Sequence, residues 1–187
     1  GSNALLANTT GADNTVVGAA AMSTNTTGQD NVAMGKSALL LNTEGASNTA
    51  LGISSLCNNT TGTCNTAVGH TALNKNTTAS CNTAVGSRSL YSTTSGEDNT
   101  AVGNYALCKN TTGECNVAVG VMALTTNTTA ECNTAVGMHA MCKSTTACRN
   151  TAIGAFASFT ATTGHQNTAI GQGALYSMTD GGNNTAI

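Results

Sequence analysis

One pentapeptide, Asn-Thr-Ala-Val-Gly, recurs along this chain in exact or closely related form, beginning at every seventeenth position. Its Asn phase is filled by Asn14, Asn31, Asn48, Asn65, Asn82, Asn99, Asn116, Asn133, Asn150, Asn167 and Asn184. No insertion or deletion interrupts the series, and 187 residues is eleven times 17. Fixed self-similarity of this kind indicates a repeat architecture. We therefore predict a single domain over residues 1–187, an array of eleven copies of one unit.

The unit can be written N-T-A-V-G-x-x-A-L-x-x-N-T-T-G-x-x, which is too short for a helix–turn–helix repeat. It suits one coil of a β-solenoid with two or three short strands and tight corners. The predicted fold class is therefore all-β, a β-solenoid or β-roll of eleven coils. Stacking would bring identical residues within about 4.8 Å and create Val/Ile, Ala, Asn and Thr ladders. Gly1 and Ile187 fall in mid-repeat without caps, so we expect the array to be part of a longer fibre.

The strand of each unit is predicted at Thr-Ala-Val or Thr-Ala-Ile, where side chains alternate between two faces. The Val phase is never polar, which predicts that it forms the inward core ladder. This ladder includes Val68, Val85, Val102, Val119 and Val136. Gly follows each strand and predicts a sharp corner, because Gly adopts positive φ and allows close backbone approach. These corner residues include Gly69, Gly86, Gly103, Gly120 and Gly137. An Ala-Leu pair, as in Ala72-Leu73, predicts the second wall of the core.

The eight cysteines keep to a few phases of the repeat. Three pairs flank the Asn-Thr-Thr corner of one coil, which predicts the corner disulfides Cys57–Cys64, Cys108–Cys115 and Cys142–Cys148. Cys81 and Cys132 remain, as interchain or free thiols. Stacked coils also lie within disulfide reach, so Cys64–Cys81 and Cys115–Cys132 are an open alternative. Disulfides would indicate an oxidising, extracellular or surface setting.

The corner motif Asn-Thr-Thr also has the form of an N-glycosylation sequon. It occurs at Asn8, Asn25, Asn59, Asn76, Asn110 and Asn127. Glycans on these residues would line one edge of the array in register, and they are the only covalent additions that we consider. The same motif is equally explained as turn chemistry, because Asn and Thr side chains bond their own backbone in corners.

The sequence offers little for catalysis or for cofactor binding. Glu97, Glu114 and Glu131 share one phase, which could bind a cation but is more simply a row of solvated charges. The cysteine spacings lack a paired C-x-x-C form and the three His residues are far apart, so we expect no metal and no other cofactor. A formal charge of −2 gives no general basic surface for nucleic acid. No apolar run reaches the about 20 residues that span a bilayer. We therefore do not expect an enzyme, a nucleic-acid-binding protein or a membrane-spanning protein.

The unit resembles the T-A-[IV]-G repeats of phage and virus tail fibres and of large bacterial surface proteins. It is similar, more loosely, to the head repeats of trimeric autotransporter adhesins. The resemblance covers the whole chain, and it implies a rigid shaft or adhesive head on the cell surface or virion surface. It also implies association with further copies of the chain as a parallel homotrimer. A single solenoid that continues head to tail as a filament fits the same sequence.

Three functions follow as hypotheses. The first is a structural protein that forms a rigid extracellular fibre shaft. The second is an adhesin or tail-fibre segment that binds a cell-surface glycan through the variable phases. Those phases include Lys36, His70, Arg88, Tyr105, His139 and Phe156. The third is ice binding by regular Thr ladders, although ice-binding faces usually show Thr-x-Thr rather than the adjacent Thr-Thr of this corner.

Overall fold

A computed structural model describes residues 1–187 and shows an all-β solenoid with one three-residue strand in almost every unit. The eleven strands form a single parallel sheet in chain order, so each strand pairs only with its sequence neighbours. The strands are β1 Thr15–Val17, β2 Val32–Met34, β3 Thr49–Leu51, β4 Thr66–Val68, β5 Thr83–Val85, β6 Thr100–Val102, β7 Val117–Val119, β8 Thr134–Val136, β9 Thr151–Ile153, β10 Thr168–Ile170 and β11 Thr185–Ala186.

The strand register confirms the predicted stacking of equivalent residues. Between β4 and β5, Thr66 pairs with Thr83 and Ala67 with Ala84. The same offset of one repeat unit holds at each of the other strand pairs. The repeat period is therefore the length of one coil, and each column of the repeat becomes a column of stacked side chains.

The alanines of the strands form the core, and the valines lie on the outer face. Ala67 is fully buried together with Ala72 and Leu73 of the opposite wall, which confirms the predicted second wall. The prediction of an inward Val ladder is wrong. Val68, Val85, Val119 and Val136 are only half-buried, and Val102 is 37% exposed. Leu73 and its equivalents fill the narrow interior, so only an Ala methyl fits beneath the strand. The Val side chain lies on the outer face of the strand, where a β-branched residue fits the pleated, half-buried surface.

The wall opposite the strands consists of turns in place of the second or third strand expected from the sequence. In this segment every second residue has positive φ, as at Thr71 (φ 54°) and Leu73 (φ 49°). These residues donate their N–H groups along the axis, Thr71 to Ile53 at 3.0 Å and Leu73 to Ser89 at 3.0 Å. Of 128 backbone hydrogen bonds, only 20 lie within the strands; the other 108 comprise bonds within single coils, bonds at the strand ends and bonds that join the turns of neighbouring coils. That bonding holds side-chain-bearing residues in a conformation that they disfavour alone.

The Gly that follows each strand lies where the backbones of adjacent coils approach closely. Gly69 has φ 139°, and a Cβ at this position would lie 2.6 Å from the carbonyl oxygen of Gly86. The same relation holds at Gly86, Gly103, Gly120 and Gly137, whose φ angles range from 127° to 138°. Both positive φ and the close approach require Gly here.

A continuous column of Asn side chains runs beside the strands from Asn14 to Asn184. Asn65 is typical, because its Nδ2 donates to Ala79 O at 2.8 Å and to Asn48 Oδ1 at 3.2 Å. Its backbone N–H also donates to Asn48 Oδ1 at 3.0 Å. The predicted Asn ladder is thus present, and it joins every coil to the next through buried polar contacts.

Candidate functional site

The Asn of the Asn-Thr-Thr corner points into the coil rather than to solvent. Asn59 Nδ2 donates to Asn42 Oδ1 at 2.8 Å and to the carbonyl oxygen of Gly62 at 3.0 Å. A glycan on that nitrogen would replace one of these bonds and would have no room inside the coil. The glycosylation prediction is therefore wrong at the fully buried residues Asn25, Asn59, Asn76, Asn110 and Asn127. At the half-buried Asn8 it stays a prediction.

The three corner disulfides predicted from the sequence are absent, and all eight cysteines are free thiols. Cys57, Cys108 and Cys142 lie against the turn wall, where burial raises the pKa of each thiol. The nearby cations Arg88 and Lys109 lower the pKa of Cys108 by a smaller amount. Their predicted partners Cys64, Cys115 and Cys148 belong to the columns just before the next strand. The two thiols of each predicted pair are therefore on different sides of the Asn-Thr-Thr corner and do not meet.

Two other cysteine pairs lie in adjacent coils, and they are the neighbouring-coil alternative that the sequence left open. Cys64 and Cys81 occupy equivalent positions in adjacent coils, as do Cys115 and Cys132, and after desolvation each neighbouring thiol contributes to the raised pKa of Cys81 and of Cys115. All four are exposed. The pKa of Cys81 is raised by local desolvation and then by the carboxylate of Asp98 and by Cys64. Coils that stack about 4.8 Å apart place the members of each pair within the separation that an inter-coil disulfide spans.

A shallow depression surrounds Cys148 and is lined by Glu131, Cys148, Arg149, His165 and Gln166. Its Cys and His do not form a nucleophile–base pair. The Nδ1 of His165 accepts the backbone N–H of Cys148 at 2.9 Å, while the Cys148 thiol donates to Thr146 O at 3.4 Å. No imidazole nitrogen is thus shown to activate the thiol.

Comparisons with protein-family models, with curated proteins and with solved structures gave no match. The resemblance to T-A-[IV]-G fibre repeats therefore stays a prediction. No group of three or more His, Cys, Asp or Glu side chains is arranged to hold a metal ion. The chain also contains no helix of the length and hydropathy needed to cross a bilayer.

The charged side chains are sorted by sign onto two edges of the solenoid. All eight carboxylates belong to the columns that follow the Asn-Thr corner and precede the next strand. We name this set the acidic edge: Asp13, Asp30, Glu44, Glu97, Asp98, Glu114, Glu131 and Asp180. Five of the six Lys and Arg residues belong instead to columns of the turn wall, and Arg149 alone lies on the acidic edge. The sequence shows this sorting as soon as the charges are written by their place in the repeat.

All five Tyr and Phe residues accompany these five cations. We name the combined set the aromatic–cationic edge: Lys36, Lys75, Arg88, Lys109 and Lys143 with Tyr91, Tyr105, Phe156, Phe159 and Tyr176. It includes four of the six residues proposed as a glycan reader, which are Lys36, Arg88, Tyr105 and Phe156. Arg88, Tyr105 and Phe156 share one column with His139. Lys36 and His70 lie in the adjacent column.

The rings and cations of this edge contact one another along the axis. Phe156 stacks on His139 with ring centroids 5.2 Å apart, and Phe159 stacks on Tyr176 at the same distance. Lys75 Nζ lies 5.4 Å from the Tyr91 ring centroid. Several ring faces are thereby covered by neighbouring coils or by cations. The edge presents positive charge to solvent more than it presents free aromatic faces.

Proposed function

We propose that this chain is a stiff structural rod that forms part of an extracellular fibre shaft. The observation that carries the proposal is the unbroken register of one repeat per coil, which stacks equivalent residues through all eleven strands. A module built to bind one ligand needs only a local site. Uniform coils that differ mainly at surface columns are what a load-bearing shaft requires.

Stiffness follows from bonding along the axis at every side of the coil. Strand pairing, turn-to-turn hydrogen bonds and the Asn column each connect neighbouring coils, as Thr60 Oγ1 also does by donating to Thr77 O at 3.0 Å. At about 4.8 Å per coil, an eleven-coil array is a rod of about 50 Å. Bending it would lengthen several parallel sets of hydrogen bonds at once.

We also propose that the shaft is stapled by disulfides between coils in an oxidising environment. Cys64–Cys81 and Cys115–Cys132 are the pairs that lie at equivalent positions of adjacent coils. A disulfide oxidant such as oxidised glutathione would take two hydrogens from each pair and leave as two thiols. Each new bond would close a loop one coil long and limit local separation of coils.

Immunogold electron microscopy tests the structural role. Antibodies raised against residues 1–187 should label filaments of the native material along their length. Label confined to filament tips, or distributed without any filament, would overturn the proposal. Small-angle X-ray scattering of the isolated chain provides the shape control, because a rod of about 50 Å should be evident before any assembly.

The adhesive and ice-binding hypotheses have weaker support. Sugar rings commonly stack on open aromatic faces, whereas here Phe156 and Phe159 stack within the protein. The hydroxyl of the first Thr in the corner donates to the next coil, as from Thr60, so only the second Thr of each Thr-Thr pair is free to order water. Glycan-array binding and thermal hysteresis measurements would revive either hypothesis if positive.

A further inference from the structure

The two charged edges complement each other along the rod axis as well as in sign. Lys36 and Glu44 belong to the same coil, and Lys109 and Glu114 share another. Arg88 shares its coil with Glu97 and Asp98. Because one coil rises about 4.8 Å, these charges lie at matching heights on different edges of a single rod.

The remaining two cations of the aromatic–cationic edge lie one coil away from a carboxylate. Lys75 is in the coil before that of Glu97, and Lys143 is in the coil after that of Glu131. All five cations thus have an acidic counterpart within one coil, or about 4.8 Å along the axis. Among the carboxylates, only Asp13 and Asp180 of the terminal coils lack such a counterpart.

We propose that copies of this chain associate side by side as parallel rods without axial offset, with the acidic edge of one rod against the aromatic–cationic edge of the next. The contact is heterologous, since each rod offers two different surfaces, so it forms a ring or an open array rather than a two-fold dimer. It concerns lateral contact alone, so it stands whether or not rods also continue end to end.

Neither edge neutralises itself within one rod, apart from Arg149 on the acidic edge. Glu97, Glu114 and Glu131 are exposed and stacked in successive coils, so like charges face one another along the column. The negative potential of this edge contributes to the raised pKa of Cys81 and Cys115. On the other edge, Lys143 Nζ lies 5.0 Å from the Phe159 ring centroid. A neighbouring rod would supply opposite charge to both rows.

A second copy is the occupant that explains both edges together. An anionic polysaccharide could bind the aromatic–cationic edge, but it would leave the acidic row without a role. A cationic partner would leave the other edge unexplained in the same way. Only another copy carries both rows with the same axial spacing.

Charge reversal of each edge separately provides the sharpest test. The first variant carries Lys75→Glu, Arg88→Glu and Lys109→Glu, which makes both of its edges acidic. The second variant carries Glu97→Lys, Glu114→Lys and Glu131→Lys, which makes the stretch of its acidic edge from residue 97 to 131 net positive, with Asp98 as its one remaining carboxylate. Lys75, Lys109 and the three Glu side chains are exposed, as is Arg88, so circular dichroism should show intact folding.

Sedimentation velocity gives the readout. Wild-type protein should associate at about 0.02 M salt and dissociate at about 0.5 M, where charges are screened over a few ångströms. Each variant alone should associate at least about tenfold more weakly than wild type. An equimolar mixture of the two variants should recover association. Recovery in the mixture is a matched control, because it contains the same altered surfaces.

Several outcomes would overturn the proposal. A wild-type chain that stays monomeric at low salt would by itself refute the proposal. Variants that associate like wild type, or a mixture that does not recover, would do so as well. Binding of heparin by a non-associating wild-type chain would assign the cationic edge to glycans instead. Single filaments that persist while bundles separate would show that the shaft role survives independently.

Discussion

Repair of the interrupted Asn column in the corner gives the most quantitative prediction. Asn8 to Asn76 form an unbroken ladder, in which Asn76 Nδ2 donates to Asn59 Oδ1 at 2.7 Å. The next coil has Thr93, which leaves Asn76 Oδ1 and Thr93 Oγ1 buried without hydrogen-bond partners. Thr93→Asn would place an amide where both neighbouring coils already have one.

The new amide should form three hydrogen bonds. It would donate to Asn76 Oδ1 and to the carbonyl oxygen of Gly96, and its oxygen would accept from Asn110. Each such bond contributes about 1 kcal/mol net, and fixing the new side chain offsets part of that gain. We expect Thr93→Asn to stabilise the fold by about 2 kcal/mol. For a chain of this size, that raises the thermal midpoint by about 4–8 °C.

A second interruption sets an internal scale. Ser144 follows Asn127, and Asn127 Oδ1 and Ser144 Oγ are again unpartnered. The following coil has Ala161, so Ser144→Asn would gain only two bonds and should stabilise by less than Thr93→Asn. Thermal unfolding followed by circular dichroism measures both, with the exposed Ser95→Asn as a control expected to change little. If Thr93→Asn is neutral or destabilising in a folded protein, or if the order is reversed, the ladder argument is wrong.

Two further predictions use the same unfolding measurement, and a third uses peptide mapping. Gly69→Ala should destabilise by about 2–4 kcal/mol, because its Cβ would lie 2.6 Å from a carbonyl oxygen of the next coil. Gly171→Ala, with similar φ and no atom within 4 Å, separates the steric cost from the backbone cost and should lose clearly less. Oxidation by a small disulfide should join Cys64 to Cys81 in peptide maps, faster as the pH rises toward the raised pKa of the Cys81 thiol, and a Cys64–Cys57 peptide would contradict the assignment. Ser158→Leu should stabilise by about 1–3 kcal/mol, because it replaces a buried, unpartnered hydroxyl within a column of Leu and Met; a lower unfolding midpoint would show that the column is already closed around Ser158.

The sequence predicted the stacking because the period leaves few alternatives. A uniform repeat spacing places Thr66, Ala67 and Val68 over their equivalents in any solenoid, and the strand and Asn ladder follow. The face of the strand was harder to predict. The alternation of side chains along a strand predicts that Ala67 and Val68 point to opposite faces. The volume left by Leu73 decides which of the two points inward.

The predictions of further strands in the turn wall and of glycosylation at the buried sequons were wrong for a related physical reason. Leu73 has an intrinsically disfavoured positive φ, so no local propensity predicts it. The hydrogen bond from its N–H to Ser89 of the next coil holds it there. Asn59 has the sequon pattern of an exposed glycosylation site, yet the array buries its amide. In both cases the deciding contacts are with residues about one full repeat away, which a local motif does not contain.

This dependence on the next coil also explains which columns can carry function. A residue such as Gly69 or Asn65 meets its own equivalents above and below, so a change there disturbs three coils at once. Surface residues such as Lys109 and Glu114 meet solvent and can vary from coil to coil without that cost. Any recognition must therefore be encoded in the surface columns, as a pattern along the axis. Segregation of charge by sign between two sets of such columns is a pattern of this kind, and another rod of the same period is the partner that can match it over many coils.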